Sequence, residues 1–345
     1  MTEVKKQLID KFVFDDEGFR MSTPPQIAEY RAKRLKTDSI ADLGSGIGVQ
    51  ALYFALASRR VVAVENDHKR MEDCRKNAET MGITNVEFIE GNATDENVVK
   101  MLRDVDTIHS DPSRKKTGDG WSFSDLSPNP LEVVKLYASE NISFDIPAFM
   151  SPSLVPDDWE LEYISLQGEL KQLSTYLGGL KRFKKSALNL PSGNRIVYNK
   201  DLSRKVEYTE RPKKWLYDLD GSLYYSGLLP EFLQEKKDLS LLHQDRQKTL
   251  LTGEKLILDP FIVRSYSVID SAISLEEARK KLILEKAGKV VLRYSVDPSK
   301  YYEERRSMEK GLVGSTTIYI FKFRNRYYLA VRAATAENSK VSNKD

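Results

Sequence analysis

Asp42-Leu43-Gly44-Ser45-Gly46-Ile47-Gly48, following Ser39-Ile40-Ala41, decides the reading of this 345-residue chain. The apolar run reads as a strand that stops at a tight glycine turn and opens a helix from Val49 to Ala57. Such a turn places backbone N–H groups and a helix N-terminus around one ligand, so a nucleotide-like ligand is expected there.

The spacing narrows the ligand. A dinucleotide turn has the form G-x-G-x-x-G/A. Here Val49 stands three residues after Gly46, and the third glycine comes one residue early, at Gly48. Asp42, two residues ahead of Gly44, would face a pyrophosphate badly but suits a cationic ammonium group, as S-adenosylmethionine carries. Val61-Val62-Ala63-Val64 is continuously apolar, as expected of a buried parallel strand. It ends in Glu65, about 20 residues after the turn, where a carboxylate takes both ribose hydroxyls. A glycine turn with no ligand is the competing reading, and the two acids weigh against it.

These residues resemble motif I and the second-strand acid of class I S-adenosylmethionine-dependent methyltransferases, over about residues 38–191. The resemblance implies an α/β fold, a Rossmann-like sheet with helices on both faces. It also implies that Asp42, Gly44, Gly46, Gly48 and Glu65 hold the cofactor. Asn92, in Glu90-Gly91-Asn92-Ala93-Thr94, falls where such enzymes place an Asp or Asn near the adenine amino group. A turn-former after a strand is an equal reading of it.

The chain is long enough for two domains with separate cores. One cysteine, Cys74, excludes an internal disulfide, and three scattered histidines suggest no zinc cluster, so a metal-free cytoplasmic protein is expected. There is no apolar run of the ~18 residues a membrane helix needs, nor the apolar core of a signal peptide. The net charge of +3 is unevenly spread. Residues 206–345 hold 25 Lys and Arg against 20 Asp and Glu, leaving 29 against 31 before them. That excess permits nucleic-acid contact without requiring it.

Along the chain we read a helical extension over residues 1–37, a methyltransferase domain over 38–205, a smaller α+β domain over 206–334 and a disordered tail over 335–345. Ser22-Thr23-Pro24-Pro25 starts a helix running to Leu35 that is placed to lie over the cofactor. Strands and helices then alternate, which predicts a mainly parallel sheet. Ile142 to Met150 reads as a further strand and Gly168 to Leu180 as a helix, while Thr316 to Phe323 and Tyr327 to Arg332 read as a hairpin. The second half resembles the THUMP-like domain that follows a class I methyltransferase domain in some prokaryotic proteins. The likeness rests on the order of Asp218-Leu219-Asp220-Gly221-Ser222, Leu251-Thr252-Gly253 and Val296-Asp297-Pro298. THUMP domains proper bind RNA, so an RNA partner is implied, and a merely bracing domain is the alternative.

Residues after the fourth strand, Asp111-Pro112-Ser113-Arg114-Lys115, should face the activated methyl group. Methyl transfer from a sulfonium needs an aligned nucleophile more than acid–base machinery. Asp111 is therefore the candidate to orient an acceptor and to border the cofactor. Arg114 and Lys115 are candidates to hold a phosphate or a carbonyl, and a structural Asp-Pro turn is the bland alternative. The family pattern is D-P-A-R-R, from which Ser113 and Lys115 depart conservatively. Trp121 and Phe123 either stack on a base or anchor the loop to the core. Enzymes methylating C5 of uridine use a cysteine at the end of the fifth strand. Met150-Ser151-Pro152-Ser153 stands there instead, so direct transfer without a covalent intermediate is expected. RNA is the favoured substrate. A small molecule or protein side chain, or a non-catalytic RNA-binding role, are the alternatives.

Overall fold

The computed structural model describes residues 12–333 apart from 15, 116, 117, 119, 203, 204 and 246–248. The first eleven residues of the expected extension and the expected tail over 335–345 lie outside the described residues. The chain divides into two compact units, the first ending at Tyr198 and the second beginning at Asn199.

In the first unit, helices α1 (Asp16–Met21) and α2 (Pro25–Arg34) precede strand β1 (Ser39–Leu43). Pro25 starts α2 because a missing N–H costs nothing in a first turn. Then follow α3 (Val49–Ala55), β2 (Arg60–Glu65), α4 (His68–Thr80), β3 (Val86–Glu90), α5 (Glu96–Met101) and β4 (Thr107–Ser110). Two short strands, β5 (Ser113–Arg114) and β6 (Leu126–Ser127), pair with each other, and α6 (Pro130–Leu136) follows. The sheet is completed by β7 (Asn141–Ile146), β8 (Glu160–Leu166), β9 (Glu169–Tyr176), β10 (Lys185–Leu190) and β11 (Asn194–Val197). Its order is β11-β10-β8-β9-β7-β4-β1-β2-β3. Strands β7, β4, β1, β2 and β3 are parallel, and β9 runs antiparallel between β7 and β8.

Two expectations are corrected here. Gly168 to Leu180 is strand β9 and a 3-10 turn, not a helix. Leu170, Leu173, Leu177 and Leu180 follow helical spacing, yet Leu173 to Tyr176 is buried throughout between two strands, so no alternation marks it as a strand. Gln167 and Gly168 both take positive φ and make the hairpin turn. The strand expected to run to Met150 ends at Ile146, because Pro147 has no N–H for the ladder.

Helices α2, α3 and α4 pack on the sheet through Ala32, Leu35, Ala51, Phe54 and Cys74 against Ile40, Val61 and Ala63. Helix α2 is also tied down by polar groups. Arg34 lies 3.3 Å from the Glu160 carboxylate, donates to Leu180 O at 2.8 Å, and stacks 4.1 Å above the Tyr176 ring. The Tyr30 hydroxyl donates to Glu162 at 2.8 Å, and so does Tyr176 at 2.7 Å.

The second unit is α+β. Its strands are β12 (Trp215–Leu219), β13 (Ser240–Gln244), β14 (Thr249–Gly253), β15 (Ile262–Ala272), β16 (Ala287–Leu292), β17 (Thr316–Phe323) and β18 (Arg326–Arg332). They form one sheet in the order β13-β14-β12-β15-β18-β17-β16. Its helices are α7 (Gly221–Ser226), α8 (Leu229–Leu233), α9 (Leu275–Leu284) and α10 (Tyr301–Glu309). Ala278, Leu282 and Met308 bring α9 and α10 onto Val290, Ile318, Ile320 and Leu329. Strands β17 and β18 form the expected hairpin, closed by the Phe323–Arg326 pair. No helix among the described residues is long and apolar enough to cross a membrane.

Arg34 and Glu160 are both buried, and removing one member of a buried pair leaves the other charge uncompensated. Arg34→Met should therefore lower stability by about 3 kcal/mol in urea denaturation. Arg34→Met combined with Glu160→Gln should lose less than the single change. A double-variant loss equal to the sum of the separate Arg34→Met and Glu160→Gln losses would mean that the pair is not coupled.

Candidate active site

The carboxyl ends of β1, β2 and β4 meet at the glycine turn. Gly44 and Ser45 donate their N–H groups to Val64 O at 2.8 and 2.9 Å, which lashes the turn to β2. Gly44, Gly46 and Gly48 all have positive φ, where a side chain is strained. At Gly48 a Cβ would also stand 2.4 Å from Cys74 Sγ, so this glycine lets α3 and α4 pack closely. Gly48 is a packing residue and does not line the cleft.

Glu65 binds the turn itself. One carboxylate oxygen accepts from Gly46 N at 2.8 Å, and the other accepts from Asn66 N and Asp67 N at 2.9 and 3.0 Å. A carboxylate offers about four acceptor positions, so one remains for a ribose hydroxyl. Asp42 differs: it is buried, and its Oδ2 has no hydrogen-bond partner among the described residues. Burial pushes its carboxyl up to about 8; Arg31 opposes that rise, and Asp111, Asp145 and Glu65 add to it. A buried acceptor without a partner, in a ring of carboxylates, fits a cationic ligand.

These residues border a cleft of about 570 Å³. Asp42, Gly44, Gly46, Glu65, Asn92, Asp111 and Arg114 all line it, as does the segment from Gly18 to Pro24 with Ile27. Asn92 is at the same time a turn-former, its Oδ1 accepting from Thr94 N and Oγ1 at 3.0 Å each. Asp111 accepts from Arg114 at 3.2 Å, and both side chains are about a third exposed. Lys115 and Trp121 are not among the lining residues. Phe123 is buried against Trp159, with ring centres 5.7 Å apart, and Trp159 stacks on Phe144, so Phe123 anchors the loop to the core.

Sequence reasoning missed a buried set behind the cleft. Arg31 of α2 donates to Gln50 at 2.5 Å and to Gln172 at 2.6 Å, and it pairs with Asp145. Gln172 and Ser174 also donate to Asp145, each at 2.6 Å. Burial works against the Asp145 charge, and Arg31 works for it. Nearby His109 is fully buried, and burial holds it well below the usual imidazole range, hence neutral. Only Gln50, two residues beyond Gly48, carried a local signal; the other members come from separate elements. No group of three or more His, Cys, Asp or Glu able to hold a metal occurs among the described residues.

The sheet order and the cleft at its carboxyl ends define the class of protein, and comparison with known proteins agrees. A family described as the precorrin methyltransferase domain matches residues 30–108. An uncharacterised S-adenosylmethionine-dependent methyltransferase of Mycobacterium tuberculosis is 22% identical over 302 residues, covering 84% of this chain and 80% of that protein. An uncharacterised RNA methyltransferase of Oceanobacillus iheyensis is 37% identical over 112 residues, 31% of this chain and 24% of that protein. A candidate methyltransferase from Porphyromonas gingivalis W83 has the same fold, with a TM-score of 0.74 at 16% identity, covering 96% of this chain and 89% of that one. The chain has the fold of class I methyltransferases, and the relatives that match most of its length are named as S-adenosylmethionine-dependent methyltransferases.

Three outcomes are expected of this site. Burial pushes the Asp42 carboxyl up to about 8, so a cationic ligand received there by the carboxylate should displace a proton. Calorimetry at pH 7 in buffers of different ionisation enthalpy should read about one proton released per cofactor bound, and none for Asp42→Asn. The same raised value gives a stability contribution that is full below the ordinary carboxylate range and lost as pH rises through 8. Gly48→Ala should lower stability by about 1–3 kcal/mol through backbone strain and the clash with Cys74. Adding Cys74→Ala should recover the clash but not the strain, which thermal melts of the single and double variants can resolve.

Proposed function

We propose that this methyltransferase acts on RNA by direct methyl transfer, without a covalent cysteine intermediate. Bound S-adenosylmethionine supplies an electrophilic methyl group on a sulfonium. The observation that carries the reading is the loop after β4. It presents Asp111 and Arg114 to the cleft beside Asp42, with no thiol at hand. Cys74 is buried under Gly48, and burial pushes its thiol up to about 12. In the loop after β7, Met150 is buried and Ser151 bonds Ser153 at 2.8 Å.

In this reading Asp42 receives the methionine ammonium, Glu65 the ribose and Asn92 the adenine. Asp111 accepts a hydrogen bond from the acceptor's N–H or O–H and so aims its lone pair at the methyl group. Arg114 neutralises Asp111 and, with Lys171 and Arg70 on the rim, offers cations to phosphate. Lys115 and Trp121 are retained as substrate contacts just beyond the cleft lining. The RNA assignment is supported by the Oceanobacillus relative and by the positive excess after residue 206. The second unit is read as a THUMP-like domain that presents RNA. The precorrin match ends at residue 108, three residues short of Asp111, so it concerns the cofactor half and not the acceptor.

Purified protein with labelled S-adenosylmethionine and bulk prokaryotic RNA should transfer label to RNA. Asp111→Ala should abolish that transfer while leaving cofactor affinity within about threefold, because the loss falls on acceptor alignment. Label appearing only in small molecules or protein would replace the RNA reading. A covalent adduct with 5-fluorouridine RNA would replace the direct-transfer mechanism.

A further inference from the structure

We propose that Arg31 is a positioning residue of the methyltransferase: from behind the cleft it holds Gln50, Gln172 and Asp145 in one hydrogen-bonded set. It also supplies the positive charge that lets Asp42 receive the cofactor's ammonium group as a carboxylate. The inference rests on the cofactor assignment and on nothing about the acceptor.

Arg31 belongs to α2, which precedes the sheet, and it is completely buried. Its two terminal nitrogens reach the oxygens of Gln50 and Gln172, and one of them also meets Asp145. Both glutamines line the cleft, Gln50 in the first turn of α3 and Gln172 on β9. Gln50 is tied back to α2 through Ala28 O at 3.3 Å, and Gln172 to β7 through Asp145 at 2.6 Å. One guanidinium therefore fixes the orientation of two amide side chains in the cleft wall.

Stability alone does not explain a charge in this place. A buried ion pair is commonly replaced by well-packed apolar residues at no loss, or even at a gain. What an apolar pair cannot supply is a positive charge among acids. Asp42 of β1 stands in register with His109 of β4, whose Nε2 lies 3.8 Å from Asp145 of β7, the partner of Arg31; of the groups that act on Asp42, Asp111, Asp145 and Glu65 are acidic and Arg31 is positive. His109 of β4 is neutral, and so is Cys74 of α4. Glu65 is satisfied by backbone N–H groups and Asp111 by Arg114. Arg31 is therefore the counter-charge that offsets the burial of Asp42, and its influence on Asp42 outweighs that of Asp145.

The test is S-adenosylmethionine titration calorimetry from pH 6 to 9 on the full chain, with thermal melts of each variant. The variants are Arg31→Met and Arg31→Met/Asp145→Asn. The single change leaves Asp145 buried without its partner and should lower the melting temperature. The double change removes both charges and should regain most of that loss. Cofactor affinity at pH 7 should nonetheless stay weaker in the double variant, by about tenfold for each unit that Asp42 rises. The midpoint of proton release on binding should move to higher pH. Should Arg31→Met fail to fold, the double variant carries the test alone. If a folded variant binds within about twofold of the unaltered protein with an unmoved midpoint, Arg31 is structural only and the proposal is overturned. If the unaltered protein itself does not bind the cofactor, the cofactor assignment fails instead.

Discussion

Asp42, Glu65, Asp111 and Asp145 converge because they end, or follow, the parallel strands β1, β2, β4 and β7, and that gathered negative charge is the constraint on which the rest of the site depends. Like charges in a poorly solvated place repel strongly, so each needs its own compensation. Glu65 takes three backbone N–H groups, Asp111 takes Arg114, and Asp145 takes Arg31, Gln172 and Ser174. Asp42 alone of the four keeps a buried oxygen with no partner among the described residues. The protein compensates three acids itself and leaves a buried acceptor open on the fourth.

This arrangement gives the segment before β1 a reason to exist. Helix α2 brings Arg31 to Asp145, Arg34 to Glu160 and Tyr30 to Glu162, three polar contacts along one helix that reach β7 and β8. Buried polar contacts of this kind add little net stability but tolerate few alternative placements. Upstream of α2, Asn77 of α4 holds Val13 through both its N–H and its carbonyl, and Phe12 and Phe19 pack against Ile47, Val49 and Leu52. The extension thus forms one wall of the cleft and is held from two sides.

Glycines in the turn serve different ends. Gly44 and Gly46 border the cleft and present backbone to it, whereas Gly48 makes room for Cys74. The single cysteine is accordingly part of helix packing, in keeping with its burial and its raised thiol. The second unit builds its own core under α9 and α10, consistent with a separate role from the cofactor-binding unit.

The sequence by itself determined what depends on neighbours in the chain. The strand, the glycine turn, the helix after it, Glu65 at the end of β2, Pro25 at the start of α2 and the terminal hairpin all follow from backbone sterics or periodicity over a few residues. Strand β9 escaped because a strand buried on both sides loses the alternation that identifies it. Only the tertiary structure decided the Arg31, Gln50, Asp145 and Gln172 set, whose members lie up to 141 residues apart. It also decided that Phe123 packs on Trp159 while Trp121 lies off the cleft lining. A buried charge finds its partner through sheet order and strand direction, and neither is written in local spacing.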